Sequence, residues 1–269
     1  SPHATRDISR LVVVPKNSTS GRTISVEPAG KQFVQQFYNE ALREAISKCR
    51  ILSRCLDLSD QSKNQELALK GSLDGSYCTI DLKSASDLLS TEFVRHLFKR
   101  HQRLLSSLLA CRSSECERDS RRVNLQKYAG MGNATTFPVQ SIAFAVIAIA
   151  SILNGLGKPI SYRNVLRVSS TIRCFGDDII VKSTDRSWVV QGLTSVGFIV
   201  NERKSFSDGY FRESCGTNAW RGIDITPVRL RFFPEVLPRV PKALGSLVST
   251  SNQLWLKCWY KTATEIRNI

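Results

Sequence analysis

Residues Ile172 to Lys182 read IRCFGDDIIVK. Two apolar runs of β type flank a glycine and two consecutive aspartates. Gly and Asp are turn residues, and apolar runs on both sides are what a buried hairpin needs. The pattern predicts strands over Val168 to Phe175 and Ile179 to Lys182, with Asp177 and Asp178 at the tip. An Asp-rich turn alone is commonly just a solvated turn. Here the flanks are apolar enough to be buried, and buried strands tolerate paired acids only beside a counter-charge. A divalent cation is the natural one, because hard cations take oxygen ligands.

A second acidic strand end lies upstream, at Tyr77 to Asp87, YCTIDLKSASD. Asp81 sits where an apolar run stops and a helix is about to start. Alone it reads equally well as an aspartate leading into that helix. With Asp177 and Asp178 it reads differently. Carboxylates from two adjacent strands can share two Mg²⁺ ions roughly 3.5–4 Å apart, with Mn²⁺ as a substitute. One ion would activate an attacking hydroxyl, and the other would hold a triphosphate and stabilise its leaving group.

Outward from these stretches, Leu11 to Val14 and Arg22 to Val26 read as two strands around a Pro-Lys-Asn-Ser-Thr-Ser-Gly turn. Helical spacing predicts a helix from Ala29 to Cys55, another over Ser62 to Leu69, and a third from Ser84 to Cys111. Arg112 to Lys127 is polar and basic. A helix is expected from Pro138 to Gly155, with Pro138 suited to a first turn. Ser187 to Ser195 reads as a helix and Phe198 to Val200 as a strand. Short β segments run on to Phe233, and the rest is largely helical. The fold class is therefore α+β, a sheet with helices packed on one face.

The 269 residues carry 38 Lys and Arg against 23 Asp and Glu, a formal +15, which favours a polyanionic partner such as nucleic acid. Eight cysteines form no Cys-x-x-Cys pair, and His3, His96 and His101 complete no metal box, so the cysteines read as reduced thiols of a cytosolic protein. Ile142 to Leu153 is apolar but too short to span a bilayer, which makes a buried helix the expectation and a membrane none. The chain opens at Ser1 without methionine and stops inside a helical-looking segment, so it is expected to be a piece of something longer.

Three segments carry a resemblance: Asp81-x5-Asp87, Gly130-Met131-Gly132-Asn133-x2-Thr136, and Gly176-Asp177-Asp178. They stand in the order and at the separations of motifs A, B and C of viral RNA polymerases. Val14 to Ser18 through Glu27-Pro28, Asp57 to Asp74, Phe211 to Gly216 and Gly222 to Pro227 narrow it. Over about residues 11 to 233 the chain resembles the replicase catalytic subunit of leviviruses, single-stranded RNA bacteriophages of the Qβ type. The resemblance implies an RNA-directed RNA polymerase with a right-hand fold. Residues 1–73 would belong to the fingers, 74–111 to the palm with motif A, 112–129 to a fingers insert, 130–233 to the palm with motifs B to E, and 234–269 to the start of the thumb.

By motif, Asp81 and Asp177 would be the main metal ligands, with Asp178 a further ligand or close beside them. Lys16 and Arg22 would meet the incoming triphosphate. Asp87 would sense the ribose 2′-hydroxyl, helped by Gly132, Asn133, Thr136 and Gln140. Lys204 matches the lysine that protonates the leaving pyrophosphate, though Arg203 is adjacent. Arg95 to Lys127 holds nine Lys or Arg against three Asp or Glu, so Arg121 and Arg122 would contact RNA. The partners implied are RNA template and product, ribonucleoside triphosphates, host elongation factors Tu and Ts and a ribosomal protein, in the bacterial cytoplasm. Reverse transcription, and RNA binding without catalysis, are the alternatives. Some positions depart from the pattern: Phe175 stands where tyrosine is usual, Ala134 where glycine is common, and Lys83 adds a charge near the expected metals.

Overall fold

The structure, a computed structural model, describes residues 8–15, 21–229 and 241–268. Lys16 lies outside the described residues, as does the end of the β region up to Phe233. The chain divides into two compact units: Ser1–Val12 with Ile24–Ile225, and Val13–Thr23 with Thr226–Ile269.

The hairpin of the first unit forms. Strand Arg173–Phe175 pairs antiparallel with Asp178–Lys182, Phe175 opposite Asp178. Asp178–Lys182 is the middle of three strands, and Tyr77–Ile80 flanks it antiparallel with Ile80 opposite Ile179. One further step along that register sets Asp81 beside Asp178. Helix Thr136–Gly155 buries fourteen of its twenty residues, from Thr136 to Leu153, which makes it the core helix of the unit. It is long and apolar enough to cross a membrane by length and composition, but 78% of its apolar window is buried inside the protein. It starts two residues before Pro138, whose missing N–H falls among the first-turn donors that have no helical partner.

Several expectations were too coarse. The expected strand from Val168 begins only at Arg173, because Tyr162–Ser169 is a helix. Ser161 caps it by accepting from the Asn164 N–H, and Val165 and Val168, three apart, face the core. The expected helix from Ala29 ends at Lys48, where Cys49 turns extended, and a four-residue helix, Leu52–Cys55, follows. Ser84 to Cys111 becomes three helices, Ala85–Leu88, Thr91–Leu97 and Gln102–Ala110. The apolar spacing runs on through Ser90, but its hydroxyl accepts from the Phe93 N–H and restarts the helix there. The polar stretch after Arg112 is a hairpin, Glu115–Arg118 with Arg121–Asn124. It joins a sheet ordered Gly21–Val26, Ile8–Pro15, Glu115–Arg118, Arg121–Asn124.

A third sheet holds Phe211–Ser214, Thr217–Trp220 and Ile223–Asp224. Within it Arg212 is fully buried and donates to five backbone carbonyls. Nε meets Tyr77 O at 2.7 Å, Nη2 meets Ser207 O at 2.6 Å, and Nη1 serves Asp208, Gly209 and Phe211. All eight cysteines are free, and six are buried, as expected of reduced thiols. In the second unit, helices Pro241–Leu256 and Tyr260–Arg267 pack through Ser251, whose hydroxyl donates to Ala263 O at 2.8 Å, and through Arg267 over the Trp255 ring.

Candidate active site

The turn between the two hairpin strands is Gly176-Asp177. Gly176 has φ 63°, and a side chain there would meet the Phe137 ring at 2.7 Å and Gln140 Nε2 at 3.1 Å. Both the conformation and the space therefore demand glycine. The start of helix Thr136–Gly155 presses on this turn: the Gly176 N–H donates to Ser141 Oγ at 3.0 Å, and Phe175 meets Phe137 edge to face at 5.0 Å. The Phe175 ring thus packs against the start of the core helix through its edge-to-face contact with Phe137.

Each acid has its own holders. Asp81 Oδ2 accepts from Asn201 Nδ2 at 2.8 Å, its N–H donates to Ser205 Oγ at 3.1 Å, and its carbonyl accepts from the Asn201 N–H at 2.9 Å. Asp178 Oδ1 accepts from the Cys215 N–H at 3.1 Å and Ser214 Oγ at 3.3 Å. Neither Asn201 nor the Ser214-Cys215 turn was expected to act here. The signal for Asn201 was its place in the same five residues as Lys204.

Burial pushes Asp178 up to about 6, and the charges of Asp177 and Asp81 add to the rise. Burial also raises Asp81, with Asp177 and Glu213 adding to it, while the Asn201 bond and the Lys204 charge pull it back. The Lys204 charge is the cationic pull on Asp81. Three carboxylates thus stand on neighbouring strand ends, near enough for the charges of Asp177 and Asp81 to raise Asp178, and oxygen donors of this kind are what a hard divalent cation takes. Among the described residues no three Asp, Glu, His or Cys side chains converge closely enough to hold an ion together. A bound ion would complete its shell with oxygens from ligand or water.

The raised acid sets a pH dependence. An unfolded Asp ionises near 3.8 and the folded Asp178 near 6, so between these values the folded state holds the extra proton. Metal-free stability therefore falls as pH rises through this window; the penalty is absent below it and complete above it. Asp178→Asn is expected to be more stable than the parent at pH 7.5, by on the order of 1–3 kcal/mol, and nearly equal at pH 4. Melting curves across pH in a chelator read the difference, and parallel curves for the two proteins would refute it.

The remaining expected residues are placed as follows. Asp87, on Ala85–Leu88, is paired with Lys127 Nζ at 2.6 Å. Gly132 has φ 110° and lies against Ser25, whose backbone N–H donates to Met131 O at 2.7 Å. Asn133 is buried: its Oδ1 accepts from the Thr135 N–H and hydroxyl, and its Nδ2 donates to Glu27. Thr136 donates to Gly130 O at 3.1 Å. These last two thus spend polar groups on building their own loop. Gln140 is 7% exposed and its Oε1 has no partner among the described residues, beside the Gly176 turn. Arg22 is exposed, and so are Arg121 and Arg122, with Arg122 Nε 2.9 Å from Glu117. Lys83 is exposed on a two-residue strand paired with Ile199–Val200. A cavity of about 650 Å³ on the four-stranded sheet is lined by Leu11, Val123, Leu125, Arg118, Arg121 and Lys127, among others.

Residues 3–249 match the family model described as RNA replicase, beta-chain. The chain is 38% identical over 229 residues to the RNA-directed RNA polymerase subunit beta of Enterobacteria phage SP, covering 84% of this chain and 36% of that protein. It is 36% identical over 230 residues to the RNA-directed RNA polymerase beta chain of Enterobacteria phage GA, covering 86% and 40%. It is also 36% identical over 228 residues to that of Escherichia phage MS2, covering 82% and 38%. The chain thus spans well under half the length of these curated relatives. Among solved structures it resembles one described as an RdRp complex, with TM-score 0.57 and 11% identity over 92% of this chain and 24% of that one. The BmCPV RNA-dependent RNA polymerase at elongation state gives TM-score 0.53, again at 11% identity, with the same coverage of 92% and 24%. At such identity the likeness is one of fold.

Proposed function

The chain belongs to the RNA replicase beta-chain family, and on that premise we propose that it carries the catalytic centre for template-directed synthesis of RNA on an RNA template, replicating a phage genome. The observation that carries this reading is the register of the central sheet. It brings Asp81 to the side of the Gly176-Asp177-Asp178 turn, near enough for Asp81 and Asp177 to raise Asp178. Family membership favours RNA synthesis over reverse transcription and over RNA binding without chemistry.

In this reading Asp81 and Asp177 hold Mg²⁺ or Mn²⁺, with Asp178 beside them. When bound, the ions neutralise triphosphate charge and make the primer hydroxyl a better nucleophile. Asn201 and Ser205 fix Asp81, so its carboxylate is aimed before substrate arrives. Lys204 delivers a proton to the departing pyrophosphate. Lys16 and Arg22 meet the triphosphate, a task that suits a point charge and a forked guanidinium. Asp87 meets the 2′-hydroxyl, and the unpartnered Gln140 Oε1 serves the same sugar. Gly132, Asn133 and Thr136 shape the loop that leads into the helix carrying Gln140. The central sheet and its helices act as the palm, 74–111 and 130–233. Residues 1–73 and 112–129 act as fingers, and 234–269 begin the thumb. Arg121 and Arg122 lie along the RNA, with Arg122 exchanging Glu117 for phosphate. Work beside host elongation factors Tu and Ts and a ribosomal protein, in the bacterial cytoplasm, is carried by the family likeness alone.

Primer extension on an RNA template with Mg²⁺ tests the reading. The complete protein is expected to extend with ribonucleotides and poorly with deoxyribonucleotides. Asp87→Ala is expected to narrow that preference by roughly one to two orders of magnitude, because a site built to bond a hydroxyl rejects the analogue lacking it. Equal use of both nucleotide types by the parent protein would overturn the assignment.

A further inference from the structure

We infer that Lys127 is the positioning residue for ribose selection, through its ion pair with Asp87; the inference rests on reading Asp87 as the group that meets the 2′-hydroxyl. Asp87 needs an outside support. It sits on a helix of only four residues, Ala85–Leu88, and its side chain is 44% exposed. A carboxylate so placed turns freely about χ1 and χ2 unless something fixes it. Lys127 Nζ, forty residues away, donates to Asp87 Oδ1 at 2.6 Å. One carboxylate oxygen is thereby engaged, and the other is left for a hydroxyl donor.

The geometry around Lys127 is built on both sides, unlike that of a typical surface ion pair. Its segment is zipped to the chain just beyond Asp87: the Thr91 N–H donates to Gln126 O at 2.9 Å, and the Tyr128 N–H to Leu89 O at 2.7 Å. The Arg112 guanidinium donates to the carbonyls of Leu125, Lys127 and Tyr128 together. Tyr128 is fully buried, and its hydroxyl is 2.8 Å from Thr135 Oγ1. Backbone on either side of Lys127 is thus tied to the helix that follows Asp87 and to the loop that leads to Thr136. The lysine side chain is 22% exposed, and its Nζ would lie 3.8 Å from a side chain added at Gly130. A lysine stem this well covered, on a backbone tied at both sides, has fewer rotamers to lose on pairing than an exposed one, so the pair orients Asp87 more than an exposed pair could.

The test is the ratio of kcat/KM for a ribonucleotide to that for its deoxy analogue, measured in the complete protein for Lys127→Met, Lys127→Arg, Asp87→Ala and the double variant Lys127→Met with Asp87→Ala. Lys127→Met keeps the stem and removes the charge. It is expected to lower the ratio roughly fivefold to thirtyfold, the range of one charge-assisted hydrogen bond, almost all of it through slower ribonucleotide use. Lys127→Arg is expected to restore most of the ratio. The double variant is expected to match Asp87→Ala, because the lysine acts only through the aspartate. A lysine that merely attracts triphosphate would slow both nucleotide types alike, and that outcome overturns the inference. So does a ratio lowered by Asp87→Ala but untouched by Lys127→Met. A ratio untouched by Asp87→Ala fails one step earlier, at the role of Asp87, and takes the inference with it. Melting temperatures of all four variants near the parent value are required for the comparison, and Lys127→Gln, which also removes the charge, supplies the reading with the same expected loss of ratio if Lys127→Met melts early.

Discussion

Asp177→Asn is expected to lower nucleotide incorporation by at least ~10³-fold while the protein keeps its melting temperature and its affinity for RNA. The size follows from where the residue stands. Asp177 occupies the second position of a two-residue turn whose backbone is fixed by Gly176, Phe137 and Ser141. The turn survives the substitution, since asparagine is as good a turn former as aspartate. What is lost is half of the charge that Asp81 and Asp177 would offer a divalent ion, and such ions act most strongly as charge develops in the transition state. With RNA held by the proposed cations elsewhere, its affinity should not follow. Single-turnover extension beside filter binding separates the two. Incorporation within tenfold of the parent would sink the role given to Asp177.

Arg212→Ala is expected to cost about 3–5 kcal/mol of stability, a fall in melting temperature of roughly 10 °C for a chain of this size. The side chain is fully buried and serves five carbonyls, so its removal leaves several acceptors without donors as well as a cavity. Arg212→Lys is expected to recover little, because an ammonium has three donors and no planar fork. Activity should fall at permissive temperature too: Arg212 ties the turn from Ser207 to Phe211 to Tyr77, and Asp81 lies at the far end of that strand. Thermal denaturation decides it, with a shift under 3 °C as the contrary result.

The elements that carry the three aspartates were more legible in the sequence than the architecture around them. The strand Tyr77–Ile80, the Gly176-Asp177 turn and the buried helix beginning near Pro138 could be read because each is local. A β run, a turn pair and an apolar stretch state themselves within ten or so residues. The helices expected from Ala29 and from Ser84 were read too long for the same reason. Apolar spacing continues across Cys49 and Ser90, and what breaks those helices is a side-chain cap or the pull of the distant core on Cys55 and Leu56. The supports of the carboxylates were harder still. Asn201 on Asp81, the Cys215 N–H on Asp178 and Lys127 on Asp87 join positions 120, 37 and 40 apart. No local pattern announces such pairs. Asn133 and Thr136 show how local and distant bonds combine: Asn133 Oδ1 accepts from Thr135 and the Thr136 hydroxyl donates to Gly130 within the loop, but Asn133 Nδ2 reaches Glu27, 106 positions away.

The segment from Asn201 to Ser205 has a consequence for how such a chain can evolve. Asn201 and Ser205, its two ends, grip Asp81, and Lys204 stands between them. A substitution that shifts this short span moves Lys204, the proposed proton donor, and re-aims the carboxylate in one stroke. Speed of incorporation and appetite for one divalent ion over another are therefore not separately heritable at these positions. Selection on either trait should return variants altered in both, and compensating changes should fall on the strand that carries Asp81.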